Sequence, residues 1–418
     1  MEVSPHCNEK NQINLKENQL IEVHRALEII LQQTANFGSE EVSLEESLGR
    51  VLRQDIRADR DMPPFDRVSM DGIAISSQKF QEGRKEFKIE GVQAAGSPRL
   101  SLESEDCCIE AMTGAVLPSY TDAVIPYELV KIEGEVARIL SHEVRLMQNV
   151  HGQGLDRKKN DLLIESGRII SPAEIGIMAT VGAHRIKVGR LPRVAVVSTG
   201  DELVPVEGHP LPYQIRMSNV YSLKGLLNPY GIRPDLHHLA DDPDELKQKV
   251  GVLIDQYDVI IFSGAVSKGK FDYLPGILDD LEVSKLFHRV QQRPGKPFWF
   301  GTREQVTVFA FPGNPVSTYV SCMKYFLPWL RQGLGLVPVE EKHAVLDEDF
   351  EFKPALTYFL QVRLVNRKGT LYAIPEAGNG SGDLANLTLN DAFLELPADR
   401  AHFKKGEVFP YLRFRFII

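Results

Sequence analysis

The chain has 418 residues, of which 43% are hydrophobic and 25% charged, a soluble globular balance with material for roughly two to four domains. Its net charge of −9 excludes the broad basic surface of a non-specific nucleic-acid binder, but leaves room for an anionic substrate held by a local group of cations. The sparse cysteines (Cys7, Cys107, Cys108 and Cys322) lack zinc or redox spacing, and no apolar run reaches the ~18 residues of a membrane span, so a reduced cytoplasmic protein with no membrane contact is expected.

Met1 to Gln19 is polar, without the apolar stretch of a signal peptide, and reads as a frayed leader. Leu20, Val23, Leu27 and Ile30 recur at helical spacing, which predicts an amphipathic helix over 19–34. Ser43 and Glu46 form an S-x-x-E pattern, which predicts a second helix running to Leu52. Residues 55–150 hold short strand-like runs (Phe87–Ile89, Cys107–Ile109, Ala123–Ile125, Val136–Ile139) between turns. Ser171-Pro172-Ala173-Glu174 then opens another helix, with Gly182 as its stop. From Arg193 strands and helices alternate: a strand at Val194–Ser198, a helix from Ser218 to Leu227, and a helix opened by Asp242-Pro243. A strand at Asp258–Phe262, another at Val306–Phe311 and a long helix over Pro315–Leu330 follow. That alternation predicts a parallel sheet covered on both faces. Residues 345–418 return to a β pattern.

Three glycine loops follow three predicted strands: Ser198-Thr199-Gly200-Asp201-Glu202, Ser263-Gly264-Ala265-Val266-Ser267, and Pro312-Gly313-Asn314-Pro315-Val316-Ser317. The carboxyl ends of parallel strands share one edge, where ligands bind. Glycine amides and helix N-termini suit phosphate. Arg293-Pro294-Gly295-Lys296-Pro297 is a basic, proline-fixed turn suited to an oxyanion. Glu202 and Asp272, with Asp242, are the candidate ligands for Mg2+, since carboxylates beside a phosphate site commonly hold that ion. Asp242 also reads as a plain helix cap, and Asp201 as a local one.

The residues named so far belong to a longer ordered set of motifs. Residues 63–74 (PPFDRVSMDGIA), Met112–Val124, STGDEL at 198–203, Ser263–Tyr273, Arg293–Gly301 and PGNPVS at 312–317 resemble, in order, the motifs of the MoeA family of molybdopterin molybdenumtransferases, which includes the C-terminal part of gephyrin. The resemblance implies a multidomain α/β plus β fold. Its parts are a split helical region (18–55 and 147–190), a β-rich inserted domain (56–146), a MogA/MoaB-like α/β domain with a parallel sheet (191–333), and a C-terminal β-barrel-like domain (334–418). It implies molybdenum cofactor biosynthesis: insertion of molybdate into adenylylated molybdopterin with release of AMP, by a homodimer whose active site is shared between subunits. On this chain Glu202 and Asp272 would hold Mg2+ or position water. Gly200, Asp201, Ser263, Gly264, Ser267, Pro312, Gly313 and Asn314 would bind the pterin nucleotide. Arg293, Lys296 and Ser317 would receive molybdate, Ser381 would contact the substrate, and Asp71 and Thr113 would complete the site in trans.

Several positions depart from the family pattern. Ala265 replaces a glycine and Arg293 a lysine, Met217 removes the carboxylate of a D-x-N element that ends at Asn219, and His151-Gly152-Gln153-Gly154 replaces an arginine-rich run. Gln361 stands where an arginine is expected, with Arg363 nearby, while Gly378-Asn379-Gly380-Ser381 is kept. The departures at Ala265, Met217 and Gln361 leave a second reading open, a catalytically impaired paralogue that serves as a pterin-nucleotide-binding or scaffold protein. A third, an unrelated nucleotide or sugar-phosphate enzyme on a doubly wound sheet, is permitted by fold alone.

Overall fold

The computed structural model describes residues 20–266, 272–336 and 340–415; the leader expected over 1–19 and the candidate ligand Ser267 lie outside the described residues. Among the described residues no helix is long and apolar enough to cross a membrane.

The first helix, Val23–Gln32, buries Val23, Ala26, Ile29 and Ile30 on one face. That face packs against the α/β domain. Trp329 Nε1 donates to the Gln33 carbonyl at 3.2 Å, and the Phe37 ring meets the Trp329 ring edge-on at 5.6 Å. The helix expected from Ser43 to Leu52 does not form. Ser43 and Glu46 do exchange capping hydrogen bonds, Ser43 N to Glu46 Oε2 at 3.1 Å and Glu46 N to Ser43 Oγ at 3.3 Å. Only the 3-10 turn Glu45–Ser47 follows. Val51 and Leu52 bridge instead to Ile169 and Val188, so long-range pairing overrides local helix preference.

The chain leaves this region and returns to it. Ser39–Ser43 pairs antiparallel with Arg185–Gly189, and Ile56–Arg57 with Leu162–Ile164. Helix Pro172–Thr180 completes the unit, its N-cap Ser171 and Glu174 forming a full capping box. Leu52, Ile56, Ile164, Met178 and Ile186 share one core, so the split region is built from strand pairs as much as from helix. Between the two halves sits a six-stranded sheet in the order Ala123–Pro126, Gly72–Ile75, Cys107–Ala111, Glu86–Gln93, Val136–Ile139, Val130–Glu133. Burial pushes the Cys107 thiol up to about 11 and that of Cys108 up to about 12, so neither is a thiolate at neutral pH.

The α/β domain comprises β1 (Val194–Thr199), α1 (Asn219–Leu227), β2 (Asp235–Leu239), α2 (Pro243–Gln256), β3 (Val259–Ser263), α3 (Leu274–Asp280), β4 (Ser284–Arg289), β5 (Pro297–Arg303), β6 (Val306–Phe311) and α4 (Pro315–Ser321). The sheet order is β2-β1-β3-β6-β5-β4. β2, β1, β3 and β6 are parallel, while β5 and β4 add antiparallel at one edge. Alternate residues face opposite ways: Val194 and Val196 join a core with Leu223, Val320 and Trp329, whereas Ala195 and Val197 pack with Leu246, Val250 and Leu278. The chain passes from β1 to β2 on one side and crosses to β3 on the other, which opens a crevice at the carboxyl ends of β1 and β3. The long helix expected over Pro315–Leu330 is interrupted by a π turn at Cys322–Phe326 before it resumes at Leu327–Gly333. Pro328 lacks an N–H and its ring would meet the carbonyl of Lys324, so the extra residue in the turn accommodates it.

In the C-terminal part, Thr357–Arg367, Thr370–Pro375, His343–Leu346, Val408–Arg413 and Ala392–Leu396 pair in that order, and the last pairs back with the first to close a five-stranded barrel. Gln292–Arg293, from the basic turn of the α/β domain, adds in parallel to Thr357–Tyr358 of this barrel.

Candidate active site

A cleft of about 560 Å³ opens at the carboxyl edge of β1, β3 and β6. Gly200, Glu202, Ser263, Gly264, Asp272, Pro312, Gly313 and Asn314, eight of the expected site residues, line it. The three glycine loops therefore meet in space, and one residue ties the second and third to the start of α1. Asn219, the first residue of α1, donates through Nδ2 to Ser263 Oγ at 2.8 Å and to the Gly313 carbonyl at 2.7 Å, with Thr318 Oγ1 at 3.4 Å. In the sequence this element stands out for the carboxylate missing at Met217, whereas the group that organises the loops is the amide two residues on.

Gly264 sits at φ +116°, and a Cβ there would lie 2.7 Å from Thr199 Oγ1, so only glycine lets the second loop approach the first. The next residue, Ala265, takes φ +56° and also lines the cleft. Thr199 Oγ1 beneath this loop is buried and has no hydrogen-bond partner among the described residues.

The acidic wall differs from expectation at one position. Asp242, expected as a metal ligand, caps α2: its Oδ1 accepts from Glu245 N at 2.9 Å. The carboxylate that lines the cleft is its neighbour Asp241. Burial first, then the charges of Asp201 and Glu202, and more weakly that of Asp272, hold the Asp241 carboxyl above the ordinary carboxylate range. Asp201 Oδ1 accepts from the Asp241 amide at 3.1 Å and so braces this wall from behind. Among the described residues no three His, Cys, Asp or Glu side chains stand close enough to hold a metal by themselves. Glu202, Asp241 and Asp272 are the carboxylates of the cleft wall that could hold a metal ion together with ligand oxygens and water.

The expected oxyanion residues stand beside the cleft rather than in its wall. Arg293 and Lys296 are exposed on the basic turn, whose next residue, Pro297, lines the cleft. The Arg293 guanidinium lies 5.8 Å from the ring centre of Phe352, and that ring stacks on Tyr358 at 4.2 Å. Ser317 is buried in α4. The Ser381 carbonyl accepts from Val316 N at 3.1 Å at the start of α4, which brings the following Gly382 into the cleft wall. Gln361 is buried and accepts from Asn386 Nδ2 at 2.9 Å, while Arg363 pairs with Glu376 at 2.9 Å. Neither lines the cleft. Asp71 and Thr113 lie on the inserted domain, away from the cleft wall. Thr113 N and Oγ1 donate to Asp71 Oδ1 at 2.6 and 2.8 Å, and the Thr113 amide, then its hydroxyl, holds this exposed carboxyl below its ordinary range.

A doubly wound sheet whose glycine loops and carboxylates share one edge defines an α/β domain with a ligand cleft at its topological switch point. Comparison with known proteins assigns the family. Residues 21–182 match the MoeA N-terminal region (domain I and II), residues 195–332 the domain described as "Probable molybdopterin binding domain", and residues 343–414 the MoeA C-terminal region (domain IV). A molybdopterin molybdenumtransferase of Synechocystis sp. is 39% identical over 94% of this chain and 99% of its own length, and one from Staphylococcus epidermidis is 31% identical over 93% and 94%. The crystal structure of a molybdopterin biosynthesis MoeA protein from Pyrococcus horikoshii superposes with a TM-score of 0.83 at 28% identity, covering 96% of this chain and all of that one. The chain belongs to the MoeA family.

Proposed function

We propose that the chain is a molybdopterin molybdenumtransferase that acts in molybdenum cofactor biosynthesis, cleaving the phosphoanhydride of adenylylated molybdopterin, releasing AMP and placing molybdate in the pterin dithiolene. The observation that carries this reading is the convergence of Ser263, Gly264 and Gly313 on one cleft with Glu202, Asp241 and Asp272. The glycine loops would take the pterin phosphate through backbone amides. Glu202 and Asp272 would hold Mg2+, with Asp241 beside them; when bound, the ion supplies positive charge at the anhydride oxygens. Arg293, Lys296 and Ser317, flanking the cleft, would receive molybdate, and Ser381 would contact the substrate. Asp71 and Thr113 are preorganised but outside their own subunit's cleft, which fits service to a second copy in a homodimer. A cytoplasmic setting fits this substrate and the sparse cysteines. A scaffold that only binds the nucleotide is not favoured, since the carboxylates that hydrolytic chemistry needs line the cleft. The test is AMP release from adenylylated molybdopterin with Mg2+ and molybdate. Turnover is expected, and its absence in correctly folded dimer refutes the reading.

A further inference from the structure

We propose that Arg216 anchors the nucleotide-side phosphate of the substrate, at a point on the cleft wall separate from the glycine loops; this rests on the phosphoanhydride reading above. Arg216 lines the cleft. It ends the two-residue strand Ile215–Arg216, which pairs in parallel with Leu203–Val204. The amides on either side of it are fixed, Ile215 N to the Glu202 carbonyl at 2.8 Å and Met217 N to the Val204 carbonyl at 3.0 Å. Its backbone is therefore registered to the segment that carries Glu202. Its side chain is anchored at one point, Nε donating to the Gly208 carbonyl at 3.1 Å. Its terminal nitrogens have no hydrogen-bond or ion-pair partner among the described residues.

That combination is unusual in this neighbourhood. The cleft wall carries Glu202, Asp241 and Asp272, yet the guanidinium is spent on none of them. A side chain held at Nε presents its two terminal nitrogens as a fork, the geometry that matches two oxygens of one phosphate. The following residue contributes to this freedom. Met217 turns its sulfur to Ser198 Oγ at 3.2 Å, so the position that could have placed a carboxylate beside the arginine holds a thioether. An anhydride has two phosphates, and a cradle of glycine amides fixes one of them. A fixed cation at a second point sets the direction of the P–O–P axis and neutralises charge on the departing AMP.

The test uses the full-length protein and its Arg216→Gln and Arg216→Lys variants, with AMP as the calorimetric probe and AMP release as the kinetic readout. In Arg216→Gln the affinity for AMP falls about tenfold or more, the scale of a hydrogen-bonded charge pair. KM for adenylylated molybdopterin rises with it, while KM for molybdate and the thermal midpoint stay put. Arg216→Lys recovers part of the loss, since it restores charge without the fork. AMP affinity within about twofold of wild type in Arg216→Gln, or a wild-type protein that binds no AMP, overturns the assignment. Arg216-dependent AMP binding by a protein that releases no AMP from adenylylated molybdopterin overturns the proposed function and leaves the assignment of Arg216 standing.

Discussion

Asn219→Ala is the sharpest test of how the cleft is held together. The substitution removes a donor that joins the start of α1 to the loops after β3 and β6. Two of its contacts are short, 2.8 Å to Ser263 Oγ and 2.7 Å to the Gly313 carbonyl; the third, at 3.4 Å, adds little. At about 0.5–1.5 kcal/mol for each good hydrogen bond, the loss comes to about 2 kcal/mol. In a domain of this size that lowers the unfolding midpoint by roughly 4–8 °C. The effect on chemistry is larger, because the amide sets the spacing between two phosphate-binding loops. A shift of about 1 Å there costs on the order of a hundredfold in kcat/KM. Differential scanning calorimetry and the AMP-release assay read the two effects. Asn219→Asp keeps the shape but turns an oxygen toward the Gly313 carbonyl, so it falls below Asn219→Ala at neutral pH and recovers in acid, where a protonated carboxyl can donate. A variant with the wild-type midpoint and wild-type KM refutes the idea that this amide organises the site.

Asp241→Asn separates stability from function. Because the folded carboxyl titrates above its ordinary value, the native state holds that proton more tightly than the unfolded chain. The associated stability is present in acid and lost as pH rises through the folded value, and the deficit persists at neutral pH. Removing the charge therefore raises the midpoint of the metal-free protein at pH 7.5. The gain vanishes in acid, where the carboxyl is protonated in both states, and turnover drops; a lower midpoint at pH 7.5 contradicts the argument from burial and neighbouring charge. Thr199→Val deletes a buried hydroxyl that has no partner among the described residues, so thermal unfolding shifts upward by at most about 1 kcal/mol or not at all, and a marked fall shows that the hydroxyl is bonded. Phe352→Leu removes the ring under Arg293. At about 0.5–1 kcal/mol for an exposed cation–π contact, KM for molybdate rises about two- to fivefold with kcat unchanged, and Phe352→Tyr restores it; an unchanged KM shows that the ring does not position the cation.

The same short motif appears twice in the sequence with different outcomes. Ser171 and Glu174 cap a real helix because Pro172 and the residues after it have nothing better to pair with. Ser43 and Glu46 make the same local hydrogen bonds, yet the chain turns out of the helix within three residues. The competing partners, Ile169 and Val188, lie more than a hundred residues along the chain, so nothing local could announce them. The first helix was readable from its periodicity, but its docking on Trp329 was not, since an apolar face says that it will be covered and not by what. The π turn had a visible cause in Pro328 and could have been anticipated.

The site divides along the same line. Backbone features were legible: glycines after buried strands must lie at the carboxyl edge of a parallel sheet, and they do. Side-chain assignments were legible only where a residue had no local use. Of the adjacent pair Asp241 and Asp242, one must cap α2, and the capping position is set by Pro243 at the helix start. That leaves Asp241 to face the cleft, although both look equally available as letters. Asn219 shows the converse. An asparagine at the start of a helix reads as a cap, but the Gly313 carbonyl it meets can only accept, so its amide nitrogen is committed to joining loops. What the sequence could not carry was the pairing of Gln292–Arg293 with the barrel strand Thr357–Arg367. That junction gives the C-terminal barrel a physical link to the cleft. The basic turn packs at Gly295 against Ser317 and Ser321 of α4 and pairs through Gln292 and Arg293 with Thr357 and Tyr358, so its backbone is held between two domains.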